Sequence, residues 1–559
     1  MKLKKQSKKR AIKTKIKQCE VSSNQHLQDL LKKERYEEAE PLFDQFVAGK
    51  SAEEVGYDNF INYAKLKSVR GNNADAEKAA MLAISVDDKR VEAPEFLLAL
   101  YLKQKLYTKA MTVADRLLQA SPESIEYRMN RLTVMSNLQM SDEVLDEWKA
   151  IAIVNPEKAN EPGMLHSVLH ALLDAGRIDE AATYLSEFKK LHSDWNAWLG
   201  LSEPHVYAGL GEYDRAIESL TESANNDPKN PIWQWNRGLI RLTKGDLVDG
   251  WKDYEIRWDW DDFPSPKRDL QLPLWNGEDL ADRSIVVSAE QGLGDQIMFS
   301  SILASLLNMG PKKMRIEVQD KAIPLFKVWY PECEIASWKN DPSTDERLLR
   351  EFDFHCPMAT VCGLLMTSKN TISNLPRRKL KLAAEERQLL LGEFGQKYDI
   401  KIGLSWRSSA IDGQRASNYM NVNLCEAIID ALPRNIGFVI VQYKFNDDER
   451  KRLEKYPNVF IPEEDLFDDV LLNAKYCASC DLVVSPATMV VQLCGLFGVP
   501  VLSWGIERTW VHLGFDQPPW HGSIHQIKHK PNMAKGEMVS KLINVLKTAL
   551  PKKAEEVVC

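Results

Sequence analysis

The chain has 559 residues, 44% of them hydrophobic and 27% charged, and a formal net charge of −7. That length exceeds one core and calls for several compact units, while the lack of any run near ~20 apolar residues excludes a membrane-spanning helix. Residues 1–17 hold nine Lys or Arg and no acid, so the rest carries −16 and is no general nucleic-acid binder.

Residues 1–24 are expected to form a disordered basic tail, suited to acidic partners or simply to solvent. The tail lacks the apolar core of a secretory signal, so the chain reads as cytoplasmic. From about 25 to 262 the sequence repeats itself. Gly211-Glu-Tyr213-Asp-Arg-Ala216, Gly176-Arg-Ile178-Asp-Glu-Ala181, Lys105-Leu-Tyr107-Thr-Lys-Ala110 and Glu34-Arg-Tyr36-Glu-Glu-Ala39 share one frame. The small residue that ends each copy recurs at Ala39, Ala76, Ala110, Val144, Ala181, Ala216 and Gly250, with spacings of 37, 34, 34, 37, 35 and 34. A small side chain there lets two antiparallel helices approach closely. The period, with Pro122, Pro156 and Pro228 at unit ends, resembles the tetratricopeptide repeat, which implies an all-α solenoid able to hold a peptide or protein segment.

Trp251, Tyr254 and Trp258 fall at helical spacing and are expected to pack the end of this array against the next domain. A proline-containing stretch to Leu274 marks a boundary. Strands and helices then alternate: strand Ile285–Ser288, helix Asp295–Leu307, strand Met314–Val318 and helix Lys321–Tyr330, with His355-Cys-Pro-Met in a loop. After a linker and helix at Lys379–Phe394 come strands at Lys401–Trp406, Gly437–Gln442, Asp481–Ser485 and Val499–Ser503. Helices are expected at Cys425–Leu432, Asp468–Cys477 and Thr488–Phe497. This order predicts two doubly wound lobes, about 275–370 and 398–530, followed by a C-terminal helix and tail at 531–559.

Nine scattered cysteines argue against a disulfide framework. Cys477-Ala-Ser-Cys480 has no second pair and is expected to pack a helix–strand corner. His512, His521, His525 and His529 lack an acidic cluster, so no metal site is expected.

The most informative stretch is Ile285-Val-Val-Ser-Ala-Glu-Gln-Gly-Leu-Gly-Asp-Gln-Ile-Met-Phe299. A buried strand runs into a turn opened by Gly292 and Gly294, and Asp295 stands at a helix start, where open α/β folds bind ligands. Position 297 is Ile, so the dinucleotide fingerprint is incomplete. Asp295 is either a helix cap or a functional carboxylate.

Together with Leu274-Trp-Asn-Gly-Glu-Asp-Leu280, Glu290-Gln-Gly-Leu-Gly-Asp-Gln296, Ile402-Gly-Leu-Ser-Trp-Arg407 and the segment Ser485–Trp504, the chain resembles bacterial glycosyltransferases with an N-terminal tetratricopeptide array, flagellin glycosyltransferases among them. The catalytic half resembles heptosyltransferase-like and O-GlcNAc-transferase-like enzymes of the two-lobed GT-B fold. The resemblance implies a metal-independent transfer, without a further cofactor, from a nucleotide-sugar donor to a protein acceptor held by the array. It makes Asp295 the catalytic base, beside Gln291, Gly292 and Gly294 on the acceptor side. Donor contacts would come from Arg407, Arg415, Gln442, Thr488 and Gln492. The chain departs from that family where an Asp-Thr pair, with a His five positions after the Asp, is replaced by Ala487-Thr488 and Gln492. That departure keeps open a second reading, a non-catalytic repeat adaptor with a degenerate transferase half.

Overall fold

The computed structural model describes residues 27, 29–192, 197–261, 263–265, 267–268, 270–339, 342–409, 419–506, 509–529 and 535–549. The basic tail and Arg415 lie outside them. Two compact units emerge, one ending at Ala171 and one starting at Leu172, the division falling inside the helix Pro162–Asp174. No described helix is long and apolar enough to cross a membrane.

Antiparallel helix pairs fill the first unit and open the second. Tyr57–Val69 with Asn73–Val86 is one pair, Ala197–Gly209 with Tyr213–Asn226 another, and Ile232–Lys244 with Leu247–Tyr254 the last. Each of the seven small positions is buried. The residue five places before each one, namely Glu34, Gly71, Lys105, Gln139, Gly176, Gly211 and Gly245, has positive φ. Each of these seven turns thus closes through one left-handed residue, and four of the seven are glycine, which adopts that conformation without a Cβ clash.

The second unit continues into two parallel sheets. Strands β1 (Ser284–Ser288), β2 (Lys313–Val318), β3 (Glu334–Ser337) and β4 (Phe354–Pro357) are ordered β3-β2-β1-β4. Strands β5 (Ile400–Leu404), β6 (Ile436–Ile440), β7 (Val459–Phe460), β8 (Leu482–Pro486), β9 (Val501–Ile506) and β10 (Ile524–His529) are ordered β10-β9-β8-β5-β6-β7. β1 is buried along its whole length, as expected of a parallel strand covered on both faces.

Trp251 and Tyr254 are buried in the same apolar cluster as Trp275, Phe299 and Trp520. The last repeat and the first sheet therefore share one core, the role expected of those aromatics.

Two expectations fail locally. His355-Cys-Pro lies in β4 rather than a loop, paired with β1 from Ile285↔Phe354 to Ser288↔Pro357. The strand is four residues long and ends on proline, so it carries neither periodicity nor a β-branched run. The helix expected to Leu307 stops at Ser300 and resumes at Ala304–Leu307. Tyr330 Oη donates to the Ser300 carbonyl at 2.6 Å, and Leu303 N–H bonds the same carbonyl at 3.1 Å in a tighter turn.

Gly250 departs from the Ala preference for a packing reason. A Cβ there would lie 2.9 Å from Leu242 Cδ2 and 3.0 Å from Leu242 N. Gly250→Ala, favourable in an open helix, is expected to lower stability by roughly 1–3 kcal/mol through overpacking. Denaturant unfolding checks this; a variant as stable as the parent would mean the helices have room to spare.

Candidate functional site

Both sheets reverse their strand order once, the first between β1 and β4 and the second between β5 and β8. In open α/β folds the crevice at the carboxyl ends of such a pair is where ligands bind. The loops after β1 and β8 carry Gly292–Asp295 and Ala487–Thr488, and the loop after β5 carries Arg407. The two crevices also meet: a Cβ on Gly294 would lie 3.5 Å from Met489 Cα, so the Gly loop abuts the start of the helix Met489–Phe497.

Within the Gly loop, Asp295 Oδ2 accepts the Gly292 N–H at 3.2 Å, so the carboxylate closes its own helix start. Gln291 has φ +63, a left-handed conformation that costs a non-glycine residue roughly 1–2 kcal/mol. Three of its polar groups are spent on the protein. Its N–H donates to Ser265 Oγ at 2.5 Å, its Nε2 donates to Tyr254 Oη at 2.5 Å, and its carbonyl accepts from Gln296 Nε2 at 3.2 Å. Gln291 is thus built as an anchor of the loop, where a substrate contact was expected.

On the second sheet, Thr488 heads the helix Met489–Phe497 without capping it through its side chain; its Oγ1 lies 3.3 Å from Ser485 Oγ. One turn on, Gln492 has a buried Oε1 with no hydrogen-bond partner. Arg407 and Gln442 are employed otherwise than expected. Arg407 forms a two-pronged pair with Glu449, NH2 to Oε2 at 2.7 Å and NH1 to Oε1 closer still. Burial alone would raise the Glu449 carboxyl, but the Arg407 bonds and the Asn446 backbone hold it below its usual range. Gln442 is buried and fully engaged: Oε1 accepts from Ser405 Oγ (2.9 Å), Trp406 N (2.9 Å) and Arg407 N (3.1 Å), and Nε2 donates to the carbonyls of Arg407 (2.9 Å) and Lys444 (3.2 Å). No donor is left to read a base; Gln442 staples the ends of β5 and β6 together.

A cavity of about 340 Å³ opens past the end of β6. Tyr443, Phe445 and Phe467 supply its aromatic walls, with Lys444 and Arg450 its basic groups. None of these wall residues was singled out from sequence, though an aromatic-basic run directly after a strand was the available signal. Also missed were Arg257 and Glu290, both fully buried and joined at 2.9 Å. Arg257 NH2 also reaches Thr360 Oγ1 at 3.0 Å.

Cys477 and Cys480 are buried, and burial pushes both thiols far up, leaving them protonated packing groups; Cys480 Sγ would lie 3.1 Å from a Cβ on Gly403. Among the described residues no group of three or more His, Cys, Asp or Glu is placed to hold a metal ion.

Comparison with known proteins agrees on the repeats. A tetratricopeptide repeat family model matches residues 205–252. Protein FlbA of Caulobacter vibrioides (strain ATCC 19089 / CIP 103742 / CB 15) is 26% identical over 434 residues, 72% of this chain and 70% of FlbA. A tetratricopeptide repeat protein from Parabacteroides merdae ATCC 43184 is 18% identical, with a TM-score of 0.38, over 43% of this chain and 91% of its own. TTC0263, a thermophilic TPR protein in Thermus thermophilus, is 16% identical with a TM-score of 0.27, over 32% of this chain and 96% of its own. The elements themselves form a helical repeat array joined to a parallel α/β region.

Arg407→Ala strips a carboxylate of its ion-pair partner and is expected to lower stability by about 3 kcal/mol, near the lower end for a broken buried pair because Glu449 keeps Trp406 Nε1 and Asn446 N–H as donors. Adding Glu449→Gln should restore most of that loss in urea unfolding; if it restores none, the pair is not what Arg407 is for. A pH effect follows from His521. Burial, then Arg377 and Lys379, push its imidazole down to about 3. The unfolded chain takes up this proton below about pH 6.5 and the folded one does not, so stability falls as pH drops through the window from about 6.5 to 3. His521→Gln should flatten the fall in Tm between pH 6.5 and 5; an unchanged slope would show that other groups carry it.

Proposed function

We propose that this chain is a GT-B-type glycosyltransferase that moves a sugar from a nucleotide-activated donor to a protein acceptor carried by its repeats. Flagellin belongs to the acceptor class to which the sequence resemblance points. The observation that carries this reading is the meeting of two topological switch points, the Gly292–Asp295 loop of one sheet against the Thr488–Met489 helix start of the other.

In this scheme Asp295 accepts the proton of an acceptor hydroxyl as its oxygen attacks the anomeric carbon. The bond from that carbon to the diphosphate breaks, and the nucleoside diphosphate leaves with the bonding electron pair. A single displacement of this kind inverts the anomeric centre. Backbone N–H groups at the Thr488 helix start and the Thr488 hydroxyl are suited to the departing charge. Gln492 offers its unpartnered carbonyl oxygen to a sugar hydroxyl, a neutral contact where the resembling family uses a histidine. In this reading the nucleoside takes the cavity past β6, its base against Tyr443 or Phe467 and its phosphates toward Lys444 and away from Asp447, Glu464 and Asp465 of the same lining. No metal or organic cofactor takes part. Ala487 and Gln492 favour the second reading, a repeat adaptor whose transferase half no longer turns over.

Thermal-shift screening of the full chain against a nucleotide panel separates the two, since a ligand at about 100 times its Kd stabilises the folded state by about 2.7 kcal/mol. One diphosphate is expected to raise Tm; no response to any nucleotide would favour the adaptor. Asp295→Asn then tests the base. Asn keeps an oxygen for the Gly292 N–H but takes no proton, so the variant should melt near the parent, bind nucleotide equally and lose turnover by ~10²–10⁴. Near-parental turnover would make Asp295 a cap only.

A further inference from the structure

The last helix of the array reaches the Gly loop with a group that the transfer scheme leaves unused. Tyr254 closes the helix Leu247–Tyr254 and is fully buried. Its ring is wedged among Trp235, Trp251 and Trp510, with centroids at 4.8, 5.3 and 5.7 Å, which fixes where Oη can be. That place is beside Gln291, whose amide donates to Oη at 2.5 Å. Gln291 holds its left-handed φ of +63 only because its surroundings over-determine it. They do so from three directions: Tyr254 from the array, Ser265 from the connecting segment and Gln296 from the helix Leu293–Ser300 that holds Asp295. One residue earlier, Glu290 is tied to Arg257, again from the end of the array. Burial keeps the Tyr254 phenol protonated, the carboxylates of Glu290 and Asp295 push the same way, and Arg257 opposes them.

We infer that Tyr254 is a positioning residue for Asp295: through Gln291 it holds the Gly292–Asp295 loop in the conformation in which the carboxylate meets an acceptor. The repeat array is then part of the reaction site as well as a carrier of the acceptor. Asp295 as base rests on the transferase reading; the hold of Tyr254 on the loop does not.

Two measurements on the full chain test this, amide hydrogen exchange of peptides spanning 288–297 and donor turnover with separate KM and kcat. Tyr254→Phe keeps the ring and deletes only Oη. Exchange of the Gln291, Gly292 and Gln296 amides, whose N–H groups are bonded in the loop, should rise ~10-fold while peptides of the β5–β10 sheet stay unchanged. Turnover should fall ~10- to 100-fold in kcat at an unchanged donor KM, the signature of a displaced base rather than a lost binding contact. Gln291→Met removes the same bond from the loop side without touching the aromatic core, and stands in if Tyr254→Phe misfolds. The double variant should be no worse than either single one.

Unchanged loop exchange in both variants overturns the proposal. So does faster exchange with kcat intact, or faster exchange spread evenly over the molecule, which would make Tyr254 a packing residue only. A parent chain that turns over no donor sinks the transferase reading instead, and the exchange result still decides whether Tyr254 holds the loop.

Discussion

A fully buried ion pair, Arg257 with Glu290, is the constraint on which the functional half depends. Two charges out of water cost several kcal/mol each unless they meet each other and fill their remaining bonds. Here the guanidinium also reaches the Tyr254 carbonyl at 3.3 Å and Glu255 Oε1 at 3.0 Å, and Thr360 Oγ1 donates to Glu255 at 2.9 Å. Arg257 Nε and Glu290 Oε1 are still left without a partner, and burial pushes the Glu290 carboxyl up, so the set is costly and its bonds are made only in this arrangement. Slide the end of the array by one residue against β1 and Glu290 is left charged and alone in the core. The pair therefore acts less as a source of stability than as a register mark. It sets where the last repeat ends relative to the loop after β1.

That register matters because everything of chemical interest in the first sheet comes directly after Glu290. Gln291 is strained, Gly292 opens the helix, Gly294 lies against Met489, and Asp295 turns back to bond Gly292. On the facing sheet the groups are arranged on the opposite principle. Gln442 uses its oxygen three times and both its amide hydrogens, and Arg407 is clamped by Glu449. Those residues stiffen the ends of β5 and β6. Thr488, by contrast, heads its helix without capping it, and Gln492 Oε1 is buried without a partner.

Sequence made the repeats legible because their period is long and set by sterics. Ala39 and Ala216 sit where only a small side chain lets two helices close, and Gly71 and Gly211 where the chain must turn left-handed. Strand β1 was legible from its β-branched run. β4 was not, since Phe-His-Cys-Pro owes its place to pairing with β1 rather than to its own preferences. Arg407 was expected to contact the donor because Glu449, 42 residues away, is invisible to any local pattern. Tyr254 was rightly placed in the core, yet its hydroxyl's partner could not be foreseen. Aromatic spacing reports a buried face, not which polar atom that face delivers.

The same contacts decide where this protein can be divided. The boundary legible in the sequence, near residues 262–275, runs between Arg257 and Glu290 and between Tyr254 and Gln291. A fragment beginning there would keep both sheets but leave a carboxylate buried without its partner, a change of the kind that costs about 3–5 kcal/mol. It would also lose the group that holds Gln291. The compact units instead divide inside the helix Pro162–Asp174, which assigns the last repeats to the same body as the sheets. Physically, the end of the array belongs with the loop after β1, to which Tyr254 and Arg257 bind it.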